Sequence, residues 1–172
     1  MTFTTAQTIG PFFHDGLAWA MPAAGVSLQP DAAMWVFRGR VLDGALQPVP
    51  DALIEAWNGA APDGDSGLAG PHGFARVATD ANGAYAFALA PHAGGDANAP
   101  LAYITLFARG LLKHQFTAIF AAGAERRSPL LTAVPAARRR TLVASGSSEI
   151  GFEWEIVLQG ERETVFFDYL EP

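Results

Sequence analysis

Short runs of apolar, β-branched and aromatic residues recur along the chain, bounded by polar stretches rich in Gly, Pro, Asn or Asp. Met34 to Val41 mixes β-branched and aromatic residues and ends at the turn pair Asp43-Gly44. Ala52 to Trp57 follows Pro48-Val49-Pro50-Asp51, a break that re-aims the chain. A loop rich in Gly, Pro and Asp runs from Asn58 to Gly73. Phe74 to Thr79 and Ala84 to Leu89 flank Asp80-Ala81-Asn82-Gly83, where Asn-Gly supplies positive φ, so the pattern predicts that the two segments pair as a hairpin. A second polar loop, Pro91 to Pro100, leads into Leu101 to Ala108, apolar enough to predict a strand buried on both faces. Gln115 to Phe120 is a further strand. Ile150 to Leu158 alternates, with Phe152, Trp154 and Ile156 on one face and Glu153 and Glu155 on the other.

Helical signal is scarce. Pro129 to Val134 and Ala136 to Leu142 each suffice for a turn or two, with Pro135 between them. Several short strands with closely spaced turn signals predict an all-β fold, a β-sandwich of two mainly antiparallel sheets with short helical segments and long loops. No internal repeat or long linker divides the chain, so residues 1–172 are expected to form a single domain with an N-terminal arm over about residues 1–30.

Composition narrows the function classes. At 172 residues the chain can bury roughly 70% of its unfolded surface without staples. The absence of Cys excludes disulfides, thiolate metal sites and a cysteine nucleophile. Seventeen acids against eleven bases give a net charge of -6, which argues against nucleic acid as a partner. Half of the residues are hydrophobic and only 16% are charged, a surplus of apolar surface that points to a large partner interface. Met1 to Ala6 lacks a basic leader region, and no run approaches the about 18 apolar residues of a membrane span. A cytoplasmic protein with no membrane association is the expectation.

Candidate chemistry is sparse. His14, His72, His92 and His114 show no metal-ligand spacing, and each reads as a loop residue beside Gly, Pro, Asp or Lys. No Gly-x-Ser-x-Gly nucleophile elbow occurs, and Ser145-Gly146-Ser147-Ser148 reads as a turn between strands. The Gly64 to Gly73 stretch lacks the Lys-Ser/Thr end and the following helix of a phosphate loop. Arg138-Arg139-Arg140 reads as a solvated face or a set of salt-bridge donors. The opening Thr5-Ala6-Gln7-Thr8-Ile9-Gly10-Pro11-Phe12-Phe13-His14 fixes an extended arm with free backbone groups, or else a packed N-terminal strand.

Four segments together resemble the α chains of the intradiol ring-cleaving dioxygenase family. They are Gln7 to His14, Gly39 to Gly44 with Pro50 to Trp57, Gly73 to Asp80 with Gly83 and Phe107 to Leu112, and Gln159 to Asp168. The matches run from Thr5 to Tyr169. Catalytic chains of the family hold non-haem Fe(III) with two tyrosines and two histidines, whose hard phenolates suit the ferric ion. Counted back from Gly110, the resemblance puts the His-x-His positions on Tyr103 and Thr105. The ligand tyrosines should lie in Pro91 to Pro100 and Asn58 to Gly73, and neither stretch contains Tyr; the chain has only Tyr85, Tyr103 and Tyr169.

The resemblance therefore implies a subunit whose iron site has decayed, binding no metal itself. It implies a β-chain partner carrying Fe(III), assembly into a large αβ hetero-oligomer, and protocatechuate and O₂ as substrates. By residue match, Thr8, Gly10 and Pro11 would line the partner's substrate pocket. Where family α chains often carry Arg on the following strand, this sequence has Ala118, which leaves the substrate carboxylate to another cation. The competing expectation is a non-catalytic β-sandwich binding or structural module that kept the fold and lost catalysis.

Overall fold

The computed structural model describes residues 34–59, 73–91, 98–124 and 127–168. Four strands open the described chain: β1 (Trp35–Leu42), β2 (Leu53–Trp57), β3 (Phe74–Ala78) and β4 (Ala84–Leu89). Then come β5 (Ala102–Phe107) and β6 (Gln115–Ile119), a one-turn helix α1 (Pro129–Ala133) and a 3₁₀ turn (Arg139–Leu142). Three short strands close it: β7 (Ser145–Ser147), β8 (Gly151–Glu153) and β9 (Ile156–Val157). They form two sheets, one ordered β4-β1-β8-β7 with β9 also on β1, the other β3-β2-β5-β6.

The inner faces of the two sheets meet in one apolar core. Phe37 stacks between Phe87 and Phe152 at centroid distances of 5.0 and 5.2 Å, and Ile54, Ile104 and Leu106 close on them from the second sheet. Burying each such side chain contributes about 1.5–3 kcal/mol. A second cluster joins Ala118 and Phe120 to Leu131, Val134 and Leu142, so α1 and the 3₁₀ turn cover the β6 end of the second sheet. Arg139 helps fix this cover: its guanidinium donates to Val134 O at 2.9 Å and Thr132 O at 3.1 Å, satisfying carbonyls at the end of α1.

The sandwich agrees with the sequence expectation, and four local readings change. Asp80 to Gly83 closes a tight turn, with Asp80 N donating to Ala84 O at 2.9 Å and Gly83 at φ +69°. The flanking strands nevertheless diverge, β3 pairing with β2 and β4 with β1, so the turn is a corner between sheets and not a hairpin. Val41 N donates to Gly83 O at 2.8 Å and draws the turn toward β1, while Thr79 N donates to Ala52 O at 2.8 Å and holds β3 on β2. β5 buries only one face: Ile104 and Leu106 point inward, Tyr103, Thr105 and Phe107 outward. Ser145 to Ser147 is a strand on β8, not a turn.

The run from Ile150 to Leu158 keeps its predicted faces but breaks into β8 and β9, both parallel to β1. Between them Trp154 N donates to Arg38 O at 2.9 Å, and Tyr85 Oη donates to Trp154 O at 2.7 Å. Burial, and secondarily the charge of Glu155, pushes the Tyr85 phenol far above its ordinary range, so it stays a neutral donor. No helix among the described residues is long and apolar enough to cross a membrane.

Candidate functional site

The outer face of the second sheet carries the two residues singled out on β5. Because β2, β5 and β6 are antiparallel, residues opposite each other point to the same side. Tyr103 lies opposite Trp57 and Ala118, and Trp57 opposite Phe74. Thr105 lies opposite Glu55 and Phe116, and Glu55 opposite Arg76. Two rows result, one aromatic and one polar.

The aromatic row is open: Phe74 is 46% exposed, Trp57 54% and Tyr103 40%. Trp57 and Tyr103 approach to 6.0 Å between ring centroids, and the Arg76 guanidinium lies 5.4 Å from the Phe74 ring centre. In the polar row Arg76 Nε donates to Glu55 Oε1 at 2.8 Å, so that carboxylate is already paired. Beyond Thr105, His114 sits between Phe107 and Phe116 at 5.4 and 4.7 Å. Ala118, opposite Tyr103, is fully buried under α1 and the 3₁₀ turn.

Of the site residues expected from sequence, the structure brings together Tyr103 and Thr105. Thr8, Gly10 and Pro11 lie outside the described residues, as do His14, His72 and His92. The basic run divides its labour: Arg138 donates to Glu163 O at 2.8 Å, Arg139 holds the end of α1, and Arg140 faces a cleft on the first sheet. Sequence reading missed Trp57 and Phe74 as neighbours of Tyr103. The signal was present in part, since Trp57 shares its alternation parity with Glu55 and so belongs to the outward face.

No family model matches the chain. Among solved structures it is similar to the dioxygenase domain of a dioxygenase–carbohydrate-binding fusion from Streptomyces sp. SirexAA-E, with a TM-score of 0.53, 16% identity and coverage of 78% of this chain and 85% of that one. It is also similar to an intradiol ring-cleavage dioxygenase from Tetranychus urticae, with a TM-score of 0.51, 12% identity and coverage of 95% and 99%. The sandwich is thus that of the intradiol ring-cleaving dioxygenases. Two relatives bear the name protocatechuate 3,4-dioxygenase alpha chain, one from Burkholderia cepacia at 32% identity and one from Pseudomonas putida at 33%, each over 96% of this chain and 96% of the relative. The chain belongs to the family of protocatechuate 3,4-dioxygenase alpha chains.

That family implies iron, and the outer face of β5 offers poor donors for it. Tyr103 is a single exposed phenol, Thr105 an alcohol, and Glu55 is engaged by Arg76. Among the described residues no three His, Cys, Asp or Glu side chains gather as a metal would need. These residues do not fit a ferric ion.

Proposed function

We propose that this chain is the alpha subunit of a protocatechuate 3,4-dioxygenase and works beside a β chain that holds Fe(III). The reading rests on likeness to alpha chains over 96% of both proteins. It is supported by the outer face of β5, where Tyr103 and Thr105 lie two apart on one side and offer no imidazole, as the reading of them as degenerate ligand positions requires. The iron, when bound in the β chain, supplies the centre at which the catechol oxygens and O₂ meet. The alpha chain binds, orients and excludes water. Its arm lends the partner's pocket a hydroxyl from Thr8, bare backbone at Gly10 and the rigid ring of Pro11. Protocatechuate opens between its two hydroxyl-bearing carbons, both atoms of O₂ are retained, and the product is 3-carboxy-cis,cis-muconate. The assembly is a cytoplasmic αβ hetero-oligomer.

Co-expression with a candidate β chain, followed by ring-cleavage and iron assays, tests this. Activity is expected only in the complex, with negligible iron and no red tyrosinate-to-Fe(III) colour in the alpha chain alone. Near one iron per isolated alpha chain overturns the decayed-site reading. An inactive complex with an iron-loaded β chain favours the alternative, a β-sandwich module that kept the fold and lost catalysis.

A further inference from the structure

The first sheet carries a separate feature on its outer side. A cleft of about 690 Å³ opens there, lined by Arg38, Arg40, Arg140, Arg162, Glu153 and Glu155. That volume lies within the range of about 300–1,000 Å³ typical of small-molecule sites. Arg38 and Arg40 stand two apart on β1 and so share the face opposite Phe37. Arg140 comes from the 3₁₀ turn and Arg162 from the segment after β9.

The charges do not cancel. Glu153 lies opposite Arg38 in the parallel register of β1 and β8, and Glu155 Oε2 accepts from Arg162 Nη2 at 3.1 Å. Four guanidinium groups against two carboxylates leave two positive charges in excess, and Arg40 and Arg140 are both exposed with no acidic or hydrogen-bonding side-chain partner among the described residues. Arg40 and Arg140 line the same cleft in a chain whose net charge is -6. An extended polyanion such as nucleic acid would meet repulsion from the rest of the surface, whereas a small dianion would not. Val143 and Val157 also line the cleft and are the apolar residues of its wall beside Trp154.

We propose that this cleft binds a small organic dicarboxylate, one carboxylate on Arg40 and the other on Arg140, with the skeleton over Val143 and Val157. The planar guanidinium donates two parallel N–H bonds to one carboxylate, a fork that a lysine ammonium does not present. The site lies on the opposite sheet from Tyr103 and Thr105, and the inference is independent of the function proposed above.

Isothermal titration of the full-length chain at low ionic strength, using succinate, phthalate and inorganic phosphate as probes, tests it. Saturable binding of at least one dicarboxylate is expected, weakened by added salt. Arg40→Gln and Arg140→Gln should each weaken it about tenfold or more, and Arg40→Lys should retain part of the affinity. Arg109→Gln, which alters an arginine paired with Asp51 at 3.7 Å outside the cleft, should change nothing. Both Gln variants replace exposed side chains and should melt at the wild-type temperature. Absence of saturable binding, binding unchanged in the Arg40→Gln/Arg140→Gln double variant, or phosphate bound as tightly as the dicarboxylates would each overturn the assignment.

Discussion

Gly39 shows how far a single missing side chain can organise the first sheet. A Cβ at this position would stand 1.7 Å from Trp154 O and 2.7 Å from Tyr85 Oη, the two atoms whose hydrogen bond ties β4 to the strand break between β8 and β9. Gly39→Ala must push the backbone at Trp154 away, and we expect a loss of about 1–3 kcal/mol in denaturant unfolding. Tyr85→Phe probes the same junction more gently. It leaves the shape intact and the Trp154 carbonyl unpaired, at a cost of about 1–3 kcal/mol. The pH dependence has a definite sign. Because the folded phenol stays protonated well above its ordinary range, the unfolded chain alone releases that proton as pH rises past about 10, and stability falls. Urea midpoints from pH 8 to 11 should drop more steeply in wild type than in Tyr85→Phe; equal slopes would refute the assignment. The contact was not legible in the sequence, where Gly39 opens one matched segment and Trp154 sits in a separate strand run with nothing to join them.

Individual elements were easier to read than their neighbours. Short apolar, β-branched and aromatic runs bounded by turn residues located every strand from β1 to β6, because each must bury at least one face. They did not say which strand pairs with which. Asp80 to Gly83 has the same chemistry whether its strands pair or part, and here backbone bonds to Val41 and Ala52 send β3 and β4 to different sheets. On β5, Leu101 to Ala108 looked buried throughout because Tyr103 and Phe107 count as apolar, although both face outward with Thr105. That outward placement makes the pair testable. Tyr103→His with Thr105→His should leave the fold intact, since substitutions on an exposed face usually stay within about 0.5 kcal/mol. It installs two imidazoles but adds no tyrosine. We therefore expect no visible tyrosinate-to-Fe(III) band after ferrous loading and air oxidation, and a red product would show that donors other than those on this face complete a site.

At the scale of the molecule, the sandwich was legible because many short strands with frequent turns have few other ways to bury their inner faces. The parallel pairing of β1 with β8 and β9 was not, since nothing local marks a contact between segments so far apart in the chain. The same limit applies to the site, which on the proposed reading belongs to two chains. The exposed row of Phe74, Trp57 and Tyr103 adds apolar surface to a chain with few charges. Expressed alone, it should self-associate in sedimentation velocity, and a concentration-independent monomer would count against that.

The arm provides the sharpest test of a shared pocket. If Gly10 lies against the partner's substrate, a Cβ there must intrude on the backbone conformation or on the aromatic ring. Gly10→Val should then raise KM, lower kcat or do both, while the iron content of the complex stays at the wild-type value. Thr8→Ala removes one neutral hydroxyl, worth about 0.5–1.5 kcal/mol, and should lower kcat/KM by roughly two- to twelvefold. An arm that only packs against the sandwich behaves differently: both variants would reduce the yield of complex and leave the kinetics of what assembles untouched. Steady-state assays on size-selected, iron-quantified complexes separate these outcomes, because loss of assembly changes the amount of enzyme and loss of pocket shape changes each enzyme's turnover. Unchanged kcat and KM for Gly10→Val in intact complex would remove Thr8, Gly10 and Pro11 from the pocket.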